Sequence, residues 1–435
     1  MVTSWLVILS IFQFTYHQFQ EISYNKPKLP SCAQWDISGI IFANESIVGE
    51  DPLDIFIDRN NTIYVVDEFN DEVHIWIENF TDPMTIFLPD QFAPWGVFVT
   101  TNGDMYIGSE TTGEVVRWNL QNEPEGTVVM NATDACAGLF VDRLNHLYCS
   151  LADEHQVVKQ PLDLSSTVLI TVAGNGTKGR SPNMLDSPRG IFVTNDLVLY
   201  VADCWNHRIQ MFQFNEQNAT TITENIILSS IKLTYPTAVF FDADDYLFIV
   251  DNGNHRIIGS RSNGFYCLVG CSNAAGSALT QLDYPYGATF DIYGNIFVAD
   301  QGNHRIQKFM LITNTSKDSS IIETIHLSAL TLSSRKSIDY FYETIQINVR
   351  ENGCYKAIIN STKKINYDVY ENYLKPIIPM NNHREEFQIE ISMSIKNRYI
   401  LIAAADELVN FSVIVTGPQQ VNFQNISKFI FEFRK

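Results

Sequence analysis

Positive charge is scarce in this chain. It carries 29 Lys and Arg against 49 Asp and Glu, a formal net charge of −20 at pH 7. A surface that tracks nucleic-acid phosphates needs the opposite balance, so no nucleic-acid partner is expected. Long apolar runs are missing as well. Tyr399 to Ala405 is too short for the roughly 20 residues of a membrane-spanning helix and ends at Asp406-Glu407. No Cys-x-x-Cys pair occurs, and the histidines are spread along the chain, which excludes a zinc-finger spacing.

What the chain does contain is a repeat. Gly190 to Ile209, Ala238 to Ile257 and Gly287 to Ile306 share one pattern, in which an aspartate (Asp203, Asp251, Asp300) follows the opening residue by 13 positions and an Asn-His-Arg-Ile block comes soon after. Asp54 to Val73, Gly96 to Val115 and Gly138 to Val157 extend the template upstream, with Asp67, Ser109 and Leu151 at the aspartate position. The starts lie 42, 42, 52, 48 and 49 residues apart. Five of the six follow a Pro-x pair: Pro52, Pro94, Pro188, Pro236 and Pro285, with Cys136 in the third unit. Six copies of several short strands at this period predict a β-propeller. The first strands (Ile55-Phe-Ile57, Val97-Phe-Val99, Ile191-Phe-Val193) do not alternate apolar with polar residues, so both faces must be covered, as they are between neighbouring blades.

The triplets Asn206-His207-Arg208, Asn254-His255-Arg256 and Asn303-His304-Arg305 resemble the NHL repeat, over roughly residues 50 to 310. The likeness fades in Asn70-Asp71-Glu72, Thr112-Gly113-Glu114 and Glu154-His155-Gln156. It implies a six-bladed propeller over 33–312, of the secreted, metazoan type. The segment Asp36 to Phe42 is expected to close the ring by supplying the outer strand of the last blade.

Residues 1–18 read as a signal peptide, or as an uncleaved anchor. Ten Asn-x-Ser/Thr sequons favour the secretory route: Asn44, Asn60, Asn79, Asn131, Asn175, Asn218, Asn314, Asn360, Asn410 and Asn425. The chain is thus expected to be extracellular. Seven cysteines leave at least one unpaired. Cys136 with Cys149, and Cys267 with Cys271, are the candidate disulfides, and Cys204 is the candidate free thiol. Beyond the repeats, 313–337 reads as a polar linker with one strand at Ile321 to Ile325. Six alternating segments in 338–424 then predict an antiparallel β-sandwich, similar in pattern to the pre-peptidase C-terminal type.

The recurrent Asp67, Asp203, Asp251 and Asp300, with His207, His255, His304, Arg208, Arg256 and Arg305, are expected to be structural, since a catalytic site is assembled once and not repeated around a ring. The positions between Pro and Gly differ in every unit: Leu53, Trp95, Ala137, Arg189, Thr237 and Tyr286. They are expected to ring the channel mouth and, with Trp, Tyr and Arg among them, to bind a protein or glycan. The fold class is therefore all-β. The expected function is a monomeric, non-catalytic scaffold without cofactor or metal. The alternative is a propeller enzyme, a lyase or hydrolase with a channel-bound metal. On this reading, alanine at Trp95, Arg189 and Tyr286 weakens partner capture and leaves the melting temperature nearly unchanged.

Overall fold

The structure, a computed structural model, describes residues 23–312 except 31–32, 79, 120–124, 164–166, 224–231 and 262–263, and beyond them the backbone of strands between Ile321 and Asn425. The expected signal peptide, residues 313–320 and 328–335 of the expected linker, and Asn79, Asn314 and Asn410 lie outside the described residues. No helix among the described residues is long and apolar enough to cross a membrane.

Six four-stranded antiparallel sheets follow one another along the chain. Blade 1 is Pro52–Ile57, Ile63–Asp67, Glu72–Trp76 and Met84–Phe87, and blade 2 is Pro94–Val99, Asp104–Ser109, Glu114–Asn119 and Thr127–Asn131. Blade 3 comprises Cys136–Val141, His146–Leu151, Gln156–Pro161 and Ile170–Ala173. Blade 4 comprises Pro188–Val193, Leu199–Asp203, Arg208–Phe212 and the two-residue Thr220–Thr221. Blade 5 is Pro236–Phe241, Leu247–Asp251, Arg256–Arg261 and Gly264–Val269, and blade 6 starts with Pro285–Phe290, Ile296–Asp300 and Arg305–Phe309. Its outer strand is Ile40–Ala43, from the N-terminal side, with Ile40 opposite Lys308. The first strands of neighbouring blades touch in a closed circle, blade 1 meeting both blade 2 and blade 6. The ring therefore closes as the sequence predicts.

The first strands are buried on both faces, Pro94–Val99 along its whole length. They approach one another most closely where the repeat opens with glycine. A Cβ on Gly138 would lie 2.7 Å from the Arg189 carbonyl, and one on Gly190 2.6 Å from the Thr237 carbonyl. Two positions further on, Phe56, Phe98, Phe140 and Phe192 form a collar with successive ring centroids 5.0 Å apart. Each such pair contributes about 0.5–1.5 kcal/mol beyond its buried area.

The recurrent aspartates are interior clamps. Asp203, fully buried, accepts from the Asp186 N–H (2.7 Å), Asn206 Nδ2 (3.0 Å) and Arg208 Nε (2.6 Å). Asp251 does the same with Thr234, Asn254 and Arg256, and Asp300 with Asp283, Asn303 and Arg305. Burial pushes these carboxyls up, against the pull of the donors around them. The arginines also donate to loop carbonyls: Arg208 to Arg180, Ser181 and Met184.

Each histidine then reaches the next blade. His207 and His255 sit in the left-handed region, at φ 57° and 53°, and their Nδ1 accepts the backbone N–H of Tyr235 (3.0 Å) and Tyr284 (3.1 Å). His304 contacts the Glu50 carbonyl of blade 1. His155, whose triplet matches weakly, makes the same bond to the Ser187 N–H at 3.2 Å. In blade 1, Asp71 takes the part with the N–H groups of Gln91 and Ala93.

Among the described residues two disulfides are present, Cys136–Cys149 and Cys267–Cys271, with Cα separations of 5.4 and 5.7 Å. The first pair is not directly opposed, Cys136 standing across from Leu151 and Cys149 from Leu139, with a register shift between Cys136 and Gly138. Cys204 is free and buried. Asn44, Asn60, Asn131, Asn175 and Asn218 are exposed.

The C-terminal unit is described by its backbone. Its strands pair antiparallel in a nine-stranded sheet. Two segments expected as separate strands, Tyr355 to Ile359 and Tyr367 to Tyr370, are halves of one strand, Gly353–Glu371, with a register shift between Asn360 and Ile365. Its first half pairs with Phe411–Gly417 and its second with Tyr399–Ala405. Ile321–Leu327, expected within the linker, pairs with Phe411–Gly417 instead.

Replacing Arg305 alone with Met leaves Asp300 buried without its cation. We expect a loss of about 3–5 kcal/mol in urea unfolding, and partial recovery in the Asp300→Asn, Arg305→Met double variant. An equal loss in both would mean that the arginine acts by packing and not by charge.

Candidate functional site at the channel mouth

First strands start at the face where the second and third strands are joined, so the Pro-x-Gly positions converge at one end of the axis. Three of them meet there. The Trp95 Nε1–H donates to the Tyr286 hydroxyl at 2.7 Å, and the Arg189 guanidinium lies 4.2 Å from the Trp95 ring centroid. These residues come from blades 2, 6 and 4, alternate members of the ring. The Thr237 hydroxyl donates to the Tyr286 carbonyl at 2.7 Å.

The sequence expectation of an exposed rim is corrected here. Leu53, Trp95 and Thr237 are 6%, 7% and 5% exposed, and Arg189 and Tyr286 are half-buried against them. Side chains that point at a common axis pack on each other, so their variation from blade to blade reflects complementarity and not freedom.

Below this cluster lies a chamber of about 100 Å³, walled by the first strands. Its one carboxylate among the lining residues is Asp54, at the position that is Gly or Ala in the other five units. Asp54 accepts the N–H groups of Ile55 (2.9 Å) and Val97 (3.1 Å). Gly287 makes room for it, because a Cβ there would stand 2.8 Å from Asp54 Oδ1. Burial raises the Asp54 carboxyl to about 6, and the two backbone bonds pull it down. Burial likewise raises the Tyr286 phenol, and it raises the Cys204 thiol to about 11, with Arg189 opposing in both cases. Arg189 Nη1 is buried without a hydrogen-bond partner.

The other end of the axis is plugged by residues 23–27. Tyr24 rests on the phenylalanine collar, 5.4 Å from Phe140 and 5.2 Å from Phe192. Asn25 Nδ2 donates to the Asp58 carbonyl at 2.9 Å, and Lys26 pairs with Asp245. Neither Asp54 nor this plug is picked out by the sequence reading. Asp54 was open to detection as the only charged opening residue, whereas nothing marks Tyr24.

The acidic ends of the first strands, on that far face, are structural. Asp58 Oδ1 accepts from the N–H groups of Asn60 and Thr62, and Asp142, Asp242 and Asp291 repeat the turn.

What the channel-mouth face exposes is a set of loop aromatics. Trp205 is 54% exposed, Tyr235 42% and Tyr284 52%. Trp205 meets Tyr235 edge to face, and Tyr235 and Tyr284 stand against His207 and His255. Both tyrosines hold positive φ, 50° and 44°, just before a proline, a conformation that is costly for a bulky side chain. On the blade 1 side of the same face, burial and the neighbouring Glu110 and Asp51 raise Glu68 to about 7.

The NHL repeat family matches residues 185–212, the first three strands of blade 4 and the residues leading into them. The match falls on one blade of the six-bladed β-propeller. Among solved structures, the chain is similar to a Bacteroides thetaiotaomicron protein of unknown function, with a TM-score of 0.51 and 13% identity over 63% of this chain and 76% of that one. It is also similar to a catalytically inactive virginiamycin B lyase from Staphylococcus aureus solved with quinupristin (TM-score 0.44, 16% identity, 61% and 82% covered). A third is an auxiliary nutrient binding protein from Bacteroides ovatus (TM-score 0.48, 15% identity, 67% and 76% covered). At these identities the likeness concerns the fold. No curated protein sequence matches the chain.

Two outcomes follow. Trp95→Ala should cost about 3–5 kcal/mol in denaturant unfolding, as for other buried Trp truncations, where the sequence reading expects almost none. A carboxyl raised in the folded state holds its proton to higher pH than in the unfolded chain. Its contribution to stability is therefore lost as pH rises from about 4 to about 6. Wild type should lose melting temperature relative to Asp54→Asn over that interval, and a pH-independent difference would show that Asp54 titrates as an ordinary carboxylate.

Proposed function

We propose that the protein is an extracellular, non-catalytic interaction scaffold whose partner docks on the channel-mouth face of the propeller. One observation carries this reading. Of the four exposed Trp and Tyr side chains among the described residues, Trp205, Tyr235, Tyr284 and Tyr293, three stand on consecutive blades of that face. Such residues supply large contact areas at low entropic cost and dominate binding hot spots. The two strained tyrosines are held out by the histidine bridges, so the surface is pre-organised. The acidic group around Glu68 favours a partner that brings positive charge to the same face.

The binding residues shift accordingly, from the interred Trp95, Arg189 and Tyr286 to the loops that surround them. Those three form a rigid base. The chamber beneath them has Asp54 and, among its lining residues, no histidine, so the enzyme reading with a channel-bound metal has few ligands to draw on. The exposed sequons and the two disulfides support the secretory route.

The test is an array of extracellular proteins and glycans probed with the purified chain. The Trp205→Ala, Tyr235→Ala, Tyr284→Ala triple variant should lose binding by tenfold or more while staying folded, and Tyr293→Ala on the opposite face should bind like wild type. Loss in the Tyr293 variant alone would move the site to the other face. For localisation, enzymatic deglycosylation should lower the mass of the natural protein, and an unchanged mass would remove the extracellular assignment.

A further inference from the structure

Blade 1 breaks the clamp that holds blades 4 to 6. Its buried Asp67 receives Asn70, with Nδ2 at 2.7 Å from Oδ2, as the other aspartates receive their asparagines. The arginine five positions on is replaced by Glu72, so the site gains a carboxylate where its counterparts gain a guanidinium. Two positions further, His74 points into the same space. Its side chain is 4% exposed, and Nε2 lies 3.9 Å from Asp67 Oδ2 and 3.5 Å from Glu72 Oε2. Nε2 is buried and makes no hydrogen bond. The other ring nitrogen, Nδ1, lies 3.1 Å from Thr85 Oγ1 on the adjoining outer strand.

We propose that Asp67, Glu72 and His74 form a divalent metal site of the zinc class. The chemistry is that of a missing cation. Two carboxylates and an imidazole nitrogen face one another in the interior without the positive charge that the equivalent space in blades 4 to 6 contains. Ligands about 2.0–2.2 Å from a tetrahedral centre stand about 3.3–3.6 Å apart; the two spacings to Nε2 are 3.5 and 3.9 Å, and all three donor atoms lie within 4.8 Å of one another. The Thr85 contact matches the second hydrogen bond that orients a metal-bound histidine, leaving Nε2 to face the ion. One nitrogen with two carboxylates suits zinc better than calcium, which takes six or more oxygens. Glu72, with 23% of its side chain exposed, is the side from which ion and water reach the site. The ion would do for blade 1 what Arg208, Arg256 and Arg305 do for their blades, tying the second and third strands together at the channel-mouth end. It lies within a blade and is independent of the partner-binding reading.

The test uses the full-length chain stripped with chelator. Zinc should bind at one equivalent per chain, and the melting temperature should rise with zinc concentration. Thr85→Val should weaken binding about tenfold or more, and His74→Gln should abolish it. Because His74→Gln could also disturb the core, Glu72→Arg is the second arm. It restores the residue type of blades 4 to 6 and should give a folded protein that no longer responds to zinc. A wild-type chain that takes up no zinc, or variants that bind it as wild type does, would overturn the proposal.

Discussion

Everything in the ring depends on how each blade satisfies the backbone where its second strand ends. Sheets covered on both faces cannot hand the polar groups of that turn to water, so a side chain must take them. In blade 2 Ser109 takes the N–H groups of Thr111 and Thr112, in blade 3 Asp134 takes those of Asp153 and Glu154, and in blades 4 to 6 the buried aspartate does so. It accepts the N–H of the loop that leads into the same blade, and its asparagine and arginine partners fix the turn that follows. The next residue, in the left-handed region, carries the link outward. Through His155, His207, His255 and His304, or Asp71 in blade 1, one blade's turn holds the start of its neighbour. The clamp is internal to a blade and the histidine joins blades, so the repeat contains both the unit and the rule for stacking it.

The same rule determines what happens on the axis. Neighbouring first strands touch closely at Gly138 and Gly190, and the phenylalanine collar with Tyr24 fills the space that remains at one end. At the other, Trp95, Arg189 and Tyr286 close over a chamber large enough for a few water molecules. A central path blocked at both ends shifts the recognition role to the loops around it. That is why Tyr235 and Tyr284, which pack on the joining histidines, and Trp205, which packs on Tyr235, carry the proposed interface.

Much of this was legible in the sequence because it repeats. The aspartate spacing marked the second-strand ends, the unbroken apolar runs marked the two-faced burial, and the segment expected to close the ring, Asp36 to Phe42, overlaps the closing strand Ile40–Ala43. His155 shows where the reading falls short. Its triplet, Glu154-His155-Gln156, keeps one of three family residues, yet that residue makes the inter-blade bond, since only the left-handed turn and one ring nitrogen are needed. Trp95 shows the converse. Its difference from Leu53, Ala137 and Arg189 looked like freedom from packing, but six unlike residues sharing one axis differ because each must fit the others.

The sequence by itself determined the number of blades, their order and the chemistry of the turn that holds them, because each is a local pattern written several times. Only the tertiary structure decided which side chains are interred and which stand free. It also decided that Glu72 and His74 share a pocket with Asp67, and that residues 23–27 seal the far end of the axis. Those arrangements arise once, from how strands pair and which segments the ring brings together, and no repeat announces them.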